Sequence, residues 1–167
     1  SETKVTKEFL LGSSIRFVGT ATIGTAHVDL DYLRAHGIGF ASAPCSNANS
    51  VAEYIVAALL TLAQRKGFVL QGKTIGVVGV GNVGSKVARY AKALGMIVLQ
   101  NDPPLSRATG YSHFVPLDYL MDANFITLHV PLATSGIDPT YHLFDAKRIG
   151  AMKKGAILIN PARGSVV

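Results

Sequence analysis

The chain has 167 residues, a formal net charge of +6, and 49% hydrophobic against 16% charged residues, so it can bury the core of a soluble globular protein. Its single cysteine, Cys45, excludes an internal disulfide framework and a cysteine metal cluster, and it fits a reducing, cytoplasmic compartment. The longest apolar run, 55–63, is too short to span a bilayer, and no charged-then-apolar leader opens the chain.

The positive charge has two readings, nucleic-acid binding or attraction of small anionic ligands. The basic pairs at 147–148 and 153–154 carry no interleaved aromatic residues, and no nucleic-acid motif accompanies them. The sequence therefore favours small anions and predicts neither a nucleic-acid partner nor a membrane partner.

The opening segment predicts a small βαβ unit. Its elements are a helix at 6–11, a strand at 15–18, a helix at 30–36 and a strand at 38–41. Two parallel strands joined by a helix cannot bury both faces of a sheet. We therefore expect the printed sequence, whose first residue is not methionine, to lack further strands of this domain.

A long helix follows. Ser50 and Glu53 have the spacing of a capping box, and the helix is predicted to run to about Arg65. Its centre, 54–62, is apolar on nearly every side, as expected of a helix buried between two bodies. We interpret it as a connector and place the domain boundary behind it, between 1–66 and 67–167.

The segment 74–102 carries a dinucleotide-binding signature. A buried strand at 74–78 leads into Gly79-Val80-Gly81-Asn82-Val83-Gly84, which fits G-x-G-x-x-G, and a helix at 85–94 ends at Gly95. A second strand at 96–100 is followed by an acidic residue, Asp102. Glycines alone indicate no more than a turn, but here strand, loop, helix, strand and acid agree in order and spacing with a nucleotide-binding βαβ unit.

Each glycine of the motif has a physical reason. Gly79 permits the tight turn, Gly81 lets the backbone approach a pyrophosphate, and Gly84 allows close helix–sheet packing. Asp102 can accept both hydroxyls of an NAD ribose and would repel the 2′-phosphate of NADP, so NAD is the predicted cofactor. Arg107, nearby in sequence, keeps NADP open as the alternative.

Strands and helices continue to alternate in the second half. We expect a weak helix at 117–121, a strand at 125–129, a helix at 145–152 and a strand at 156–160. This alternation predicts an α/β fold with a Rossmann-type, doubly wound parallel sheet. Ligands then collect at the carboxyl ends of the strands, where Gly79, Asp102, Val130 and Arg163 fall.

At this point the sequence resembles the NAD-dependent D-2-hydroxyacid dehydrogenases. The segments that carry the resemblance cover essentially the whole chain: Val51-Ala52-Glu53, the glycine motif, Thr127-Leu128-His129-Val130-Pro131-Leu132 and Asn160-Pro161-Ala162-Arg163-Gly164. The resemblance implies that 1–66 are part of a flavodoxin-like substrate domain and that 67–167 are the NAD-binding domain. It also implies a homodimer and a small phosphorylated 2-hydroxy acid as substrate.

The resemblance assigns roles residue by residue. Arg163 would be the catalytic arginine, and Ser1 and Thr22 would contact substrate. The NAD site would be lined by Gly79, Gly81, Asn82, Val83, Gly84, Asp102 and Val130. Independently, a guanidinium suits this chemistry because it can hold a carboxylate through two parallel bonds; a surface position for Arg163 is the alternative. No spacing indicates a metal site.

Two departures from the family pattern matter. The family usually reads Pro-Gly-Cys-Asn where this chain has Pro44-Cys45-Ser46-Asn47, so a glycine able to take φ > 0 is replaced and the loop shape is in question. The family also pairs its arginine with a later glutamate and histidine, which lie beyond the printed sequence. We expect this chain to be a fragment lacking both termini and to turn over poorly alone.

Other interpretations stay open. His129 is the best candidate for a substitute base, although hydrogen bonding of its own loop is its expected role, and His27 is a weaker candidate. Within the family, the substrate could also be that of a glyoxylate or a phosphoglycerate dehydrogenase. A non-enzymatic, NAD-sensing binding module, like the co-repressors that resemble this family, is the alternative from another functional class.

Overall fold

The computed structural model describes residues 3–21, 24–25 and 27–167. The chain divides into two compact units, 1–47 and 48–167, each an α/β arrangement with parallel strands. The predicted fold class is therefore confirmed. In the described part of the chain, no helix is both long and apolar enough to cross a membrane.

The first unit is a small βαβ layer. It contains α1 (Lys7–Leu10), β1 (Phe17–Thr20), α2 (Leu30–Ala35) and β2 (Gly39–Ser42), and β1 pairs in parallel with β2. Its core is small and consists of Leu10, Val28 and Leu33. The strand β1 begins two residues later than predicted, because its partner strand begins only at Gly39, after the positive-φ turn at Gly37.

The loop after β2 keeps a left-handed residue without a glycine. Cys45 is exposed and has φ +71°, so the cysteine itself adopts the conformation that a glycine would take without strain. The replacement of glycine at Pro44-Cys45-Ser46-Asn47 therefore keeps the positive φ of the turn, but a non-glycine residue adopts this φ only with backbone strain. The hydroxyl of Ser46 donates to the carbonyl oxygen of Ala43 over 2.9 Å within the same turn.

The long helix α3 (Ala48–Lys66) packs with the second unit. Its buried residues recur every three or four positions and form one stripe: Ala48, Ala52, Ile55, Leu59 and Ala63. Tyr54 is 67% and Leu60 is 47% exposed, so the described residues do not cover every side of 54–62, and burial of this helix between two bodies stays a prediction. The capping box is wrong, since the helix begins two residues before Ser50. The boundary between the two compact units lies before α3, whereas the sequence predicts a domain boundary behind the helix.

The second unit is built on a four-stranded parallel sheet. The strands are β3 (Thr74–Val78), β4 (Ile97–Asn101), β5 (Phe125–Leu128) and β6 (Ile157–Ile159), in the spatial order β4-β3-β5-β6. A single parallel bridge between Gln100 and Phe114, which the sequence did not predict, extends the sheet beyond β4. The chain reverses its direction of growth at β3, so the crevice beside that strand is a topological switch point.

Both faces of the sheet are covered, as a doubly wound sheet requires. On one face α3 and α4 (Gly84–Ala93) pack against β3 through Leu59, Val87, Ala91, Ile75 and Val77. The opposite face packs against Leu120 of a 3₁₀ turn (Leu117–Leu120), Phe144 and Val166. The remaining helices are α5 (Pro103–Thr109), which the sequence did not predict, α6 (Ala146–Ala151) and a second 3₁₀ turn at Gly164–Val166.

Candidate cofactor and catalytic site

The glycine loop between β3 and α4 is shaped by close contacts that only glycine permits. Gly79 has φ +83°, and a Cβ there would meet the backbone of His129 at 2.8 Å. A Cβ on Gly84 would overlap the carbonyl oxygen of Gly79, so the helix start lies directly against the strand end. A Cβ on Gly81 would meet nothing within 4 Å, which leaves open space where a ligand would approach.

The amino end of α4 faces this open space. Val83 occupies the N-cap in the helical region and makes no side-chain capping hydrogen bond, and Asn82 precedes it on the surface. The first N–H groups of a helix and the positive end of its dipole favour an anion at this position. The geometry therefore fits the pyrophosphate of a dinucleotide.

Asp102 follows β4 and holds two neighbouring segments together. Its Oδ2 accepts a hydrogen bond from the Val80 N–H over 2.7 Å, and its Oδ1 accepts one from the Leu105 N–H over 2.9 Å. The first bond fixes the glycine loop and the second caps α5. Asp102 is thus a structural element of the loop in addition to its predicted contact with the ribose.

A crevice of about 210 Å³ opens beside Asp102, where an adenosine would lie. Asn101, at the end of β4, is buried, and its amide donates to the Val115 carbonyl oxygen over 2.8 Å, which fixes one wall. The lining residues are Asn101, Asp102, Pro103, Ser106, Phe114, Val115 and Pro116.

His129 and Val130 extend β5 beyond its last ladder residue. The His129 N–H donates to the Val78 carbonyl oxygen over 2.7 Å, and its ring Nε2 lies 3.0 Å from the Thr127 hydroxyl. Burial lowers the pKa of His129 to about 4, which keeps the ring neutral near pH 7. The hydroxyl that the ring contacts thus belongs to β5 and not to the loop that His129 begins, so hydrogen bonding of that loop stays a prediction, and a pKa of about 4 does not suit a substitute base.

Arg163 lies beyond the end of β6 in a loop fixed by Asn160. The Asn160 side chain accepts a hydrogen bond from the Ala162 N–H over 3.1 Å and donates to the Arg163 carbonyl oxygen over 2.9 Å. Arg163 is half-buried, and its Nη1 donates to the Ala162 carbonyl oxygen over 3.3 Å. The Asn160 side chain thus shapes the backbone that carries Arg163, a contact that the sequence does not predict although Asn160 is part of the motif.

The four strand ends bring the predicted residues into one row. Because the order is β4-β3-β5-β6 and all strands are parallel, Asp102, the glycine loop, Val130 and Arg163 follow one another along the same sheet edge. Three strand spacings, or about 14 Å, separate the β4 end from the β6 end. Ser1 and Thr22, the predicted substrate contacts, lie outside the described residues. Among the described residues, no group of His, Cys, Asp and Glu could hold a metal ion.

Arg107 is the residue that leaves NADP as an alternative cofactor. It forms an ion pair that the sequence does not predict. Its guanidinium pairs with the carboxylate of Asp138, with Nη1 3.2 Å from Oδ1 and Nη2 on Oδ2. The two residues are 31 positions apart, so no local pattern could have revealed the pair.

Comparisons with known proteins agree with this geometry. The family model described as "D-isomer specific 2-hydroxyacid dehydrogenase, NAD binding domain" matches residues 38–167. Relatives named erythronate-4-phosphate dehydrogenase include those of Salinibacter ruber, 56% identical, and Chromohalobacter salexigens, 53% identical. Each match covers 100% of this chain and 44% of the relative, so the chain spans less than half the length of these curated relatives.

Solved structures show the same fold. D-lactate dehydrogenase of Aquifex aeolicus, in complex with NAD and lactic acid, is 34% identical with a TM-score of 0.75 over 98% of this chain and 55% of its own. An acyclic imino acid reductase in complex with NADPH and D-Arg is 27% identical with a TM-score of 0.70 over 99% of this chain and 59% of its own. This chain belongs to the D-isomer-specific 2-hydroxyacid dehydrogenase family and carries its NAD-binding domain.

Proposed function

We propose that the protein carrying this chain oxidises 4-phospho-D-erythronate to 2-oxo-3-hydroxy-4-phosphobutanoate with NAD, as a step in pyridoxal phosphate (vitamin B6) synthesis. The observation that carries the proposal is the set of relatives named erythronate-4-phosphate dehydrogenase, which are 46–56% identical over the whole chain. The row of Asp102, glycine loop, Val130 and Arg163 at one sheet edge supports the dehydrogenase chemistry.

The residues of this chain would bind the two reactants from opposite ends of the row. The glycine loop and the amino end of α4 would hold the pyrophosphate, and Asp102 would accept hydroxyl groups of the ribose. NAD, when bound, accepts the hydride that leaves C2 of the substrate. Arg163 would hold the substrate carboxylate through two parallel hydrogen bonds and polarise the C2 oxygen, each charge-assisted bond contributing about 1.5–3 kcal/mol.

The hydroxyl proton requires a base, and none of the site residues described here is suited to that role. His129 is neutral at pH 7, but its ring faces the Thr127 hydroxyl and its pKa of about 4 makes it a poor proton acceptor. The proposal therefore assigns the proton to the glutamate–histidine pair that the family resemblance implies, outside this sequence.

Solved structures of this fold hold either NAD or NADPH, so the fold alone does not select the dinucleotide. We favour NAD because the Asp102 carboxylate lies at the end of β4, beside the crevice that would hold the adenosine. A carboxylate at this position accepts ribose hydroxyls and repels a 2′-phosphate. The described residues thus fit NAD.

The test is a substrate panel with the protein that carries this chain. Each compound of the panel is assayed by the change in NADH absorbance. The panel consists of 4-phosphoerythronate, D-lactate, glyoxylate, and 3-phosphoglycerate with its oxidised counterpart. The proposal expects the highest kcat/KM for 4-phosphoerythronate. A preference for another acid would assign a different dehydrogenase activity, and NADH binding without turnover of any acid would favour the sensing module.

We further propose a cytoplasmic homodimer. The lone cysteine suits a reducing compartment. The groove between α3 and α4, about 540 Å³, is lined by apolar side chains that include Val56, Leu60 and Leu94, and burial against a second copy would remove them from water. Sedimentation should give twice the chain mass of the expressed protein, and Leu60→Glu should shift it toward the monomer. A wild-type monomer would contradict the proposal.

A further inference from the structure

The ion pair between Arg107 and Asp138 joins helix α5 to the loop after β5 at the cofactor edge. Arg107 lies in the last turn of α5, and Asp138 lies in the segment that follows β5. Both guanidinium Nη atoms face the two carboxylate oxygens, so the arrangement is bidentate. The Asp138 side chain is only 27% exposed, against 52% for Arg107, so the carboxylate is the better anchored partner.

The position of the pair connects it to the ribose end of the site. The segments after β4 and β5 flank the glycine loop, because β3 lies between these two strands. Ser106, the residue before Arg107, lines the crevice beside Asp102. In dinucleotide-binding folds an arginine near the ribose accommodates the 2′-phosphate that distinguishes NADP from NAD, and Arg107 directly follows a residue that lines this crevice.

The chemistry of the pair opposes a 2′-phosphate in two ways. A guanidinium whose Nη atoms are engaged by a carboxylate cannot offer the same paired N–H groups to a phosphate. The nearby negative charge of Asp138 also offsets the positive charge of Arg107. The chain therefore carries an arginine of the kind that accommodates a 2′-phosphate, together with a carboxylate that occupies it.

We propose that Asp138 is a specificity-determining residue, which holds Arg107 away from a ribose 2′-phosphate and so maintains the preference for NAD. The inference rests on the proposed dinucleotide binding and concerns which dinucleotide is accepted. Removal of the Asp138 charge releases the arginine, and Arg107 then becomes a phosphate ligand. Asp102 and the ribose hydroxyls of NAD are untouched by this change.

The experiment measures dissociation constants of NADH and NADPH by fluorescence titration of the protein that carries this chain. Asp138→Asn keeps the size of the side chain, and Asp138→Ser provides a second variant. We expect NADPH to bind about tenfold more tightly, equivalent to about 1.4 kcal/mol, with NADH affinity unchanged. The gain should shrink at high salt, because it depends on an exposed charge.

Two controls separate release of the arginine from simple loss of repulsion. The double variant Asp138→Asn/Arg107→Gln should show no gain for NADPH, because the released ligand is absent. Asp31→Asn breaks the exposed Arg34–Asp31 pair of the first unit, so it makes the same charge change in the other unit of the chain. It should leave both affinities unchanged.

The results that would overturn the inference are specific. Unchanged NADPH affinity in both Asp138 variants contradicts it, and so does a gain that persists in the double variant or that applies equally to NADH. A wild-type protein that binds no NADH contradicts the proposed function itself, whereas NADH binding without a gain for NADPH contradicts only the role of Asp138.

Discussion

The two ends of the site differ in how their residues are held. At the glycine loop, the N–H groups of Gly79 and Val80 bond to Asn101 and Asp102, so two adjacent strand ends fix each other. At the β6 end, Asn160 clamps the loop that carries Arg163, and the turn that follows is bonded to the segment 142–144 through the carbonyl oxygens of Ser165 and Val166. The cofactor end is thus fixed by bonds between adjacent strand ends, whereas the catalytic end is fixed by bonds among loops and needs further groups to complete its chemistry.

The strongest test of this difference is Gly84→Ala at the cofactor end. The added Cβ would overlap the Gly79 carbonyl oxygen, so we expect a loss of about 3 kcal/mol or more in unfolding free energy, together with loss of NADH binding. Denaturant unfolding and NADH titration measure the two effects.

Gly81→Ala is the matched control for that variant. Its Cβ would meet no protein atom within 4 Å, so stability should change by less than about 0.5 kcal/mol. NADH affinity should nevertheless fall, because the methyl group occupies the space of the pyrophosphate. Equal stability of the two variants would show that the helix start is not fixed by its contact with the strand end.

At the other end of the row, Arg163→Lys should lower kcat/KM about 100-fold, because lysine keeps the charge and loses the two parallel bonds to the carboxylate. NADH affinity should be unchanged, since Arg163 follows β6, two strands away from the glycine loop. Steady-state kinetics with an NADH titration separate the two quantities. A parallel fall in NADH affinity would mean that the two ends are not independent.

His129 follows β5, between the two ends of the row, and its contribution can be measured from the pH dependence of the unfolding free energy. Burial lowers the pKa of His129 to about 4 in the folded state, below its ordinary 6.5, so as the pH falls the unfolded chain takes up the proton first. The stability associated with a neutral His129 is complete above pH 6.5 and is lost as the pH falls through 4. The loss amounts to at most about 3 kcal/mol, because the ring is only partly buried.

His129→Gln should therefore flatten the stability profile between pH 6.5 and 4, as measured by urea unfolding at several pH values. A profile that keeps its slope in His129→Gln would assign the loss of stability to other groups.

The sequence predicts the cofactor end well because its information is local. The strand Thr74–Val78, the glycine turn and the acid after β4 are encoded in contiguous residues, and the structure has them where they were expected. The helix α5 was also readable, since Asp102 followed by two prolines is an N-cap with proline in the first turn, but Asp102 was interpreted only as a ribose ligand.

Tertiary features could not be predicted from the sequence, because they depend on residues that are far apart in the chain. The bridge at Phe114 involves one residue, and the Arg107–Asp138 pair joins side chains whose approach depends on the whole sheet. What covers the exposed side of α3 stays a prediction, because an apolar composition shows that a surface needs cover without showing whether the same chain provides it.

The smallest expected effect concerns the clamp at the catalytic end. Asn160→Ala removes both bonds of the Asn160 side chain, but the Arg163 carbonyl oxygen keeps the Val166 N–H, and the Ala162 N–H can turn to water because this segment is only partly buried. We expect stability to fall by only about 1 kcal/mol and kcat to fall about tenfold, as Arg163 loses its orientation. Asn160→Asp keeps the acceptor for Ala162 and should recover part of kcat. If kcat is unchanged in Asn160→Ala, substrate alone orients the arginine, and the two ends differ in chemistry but not in how they are held.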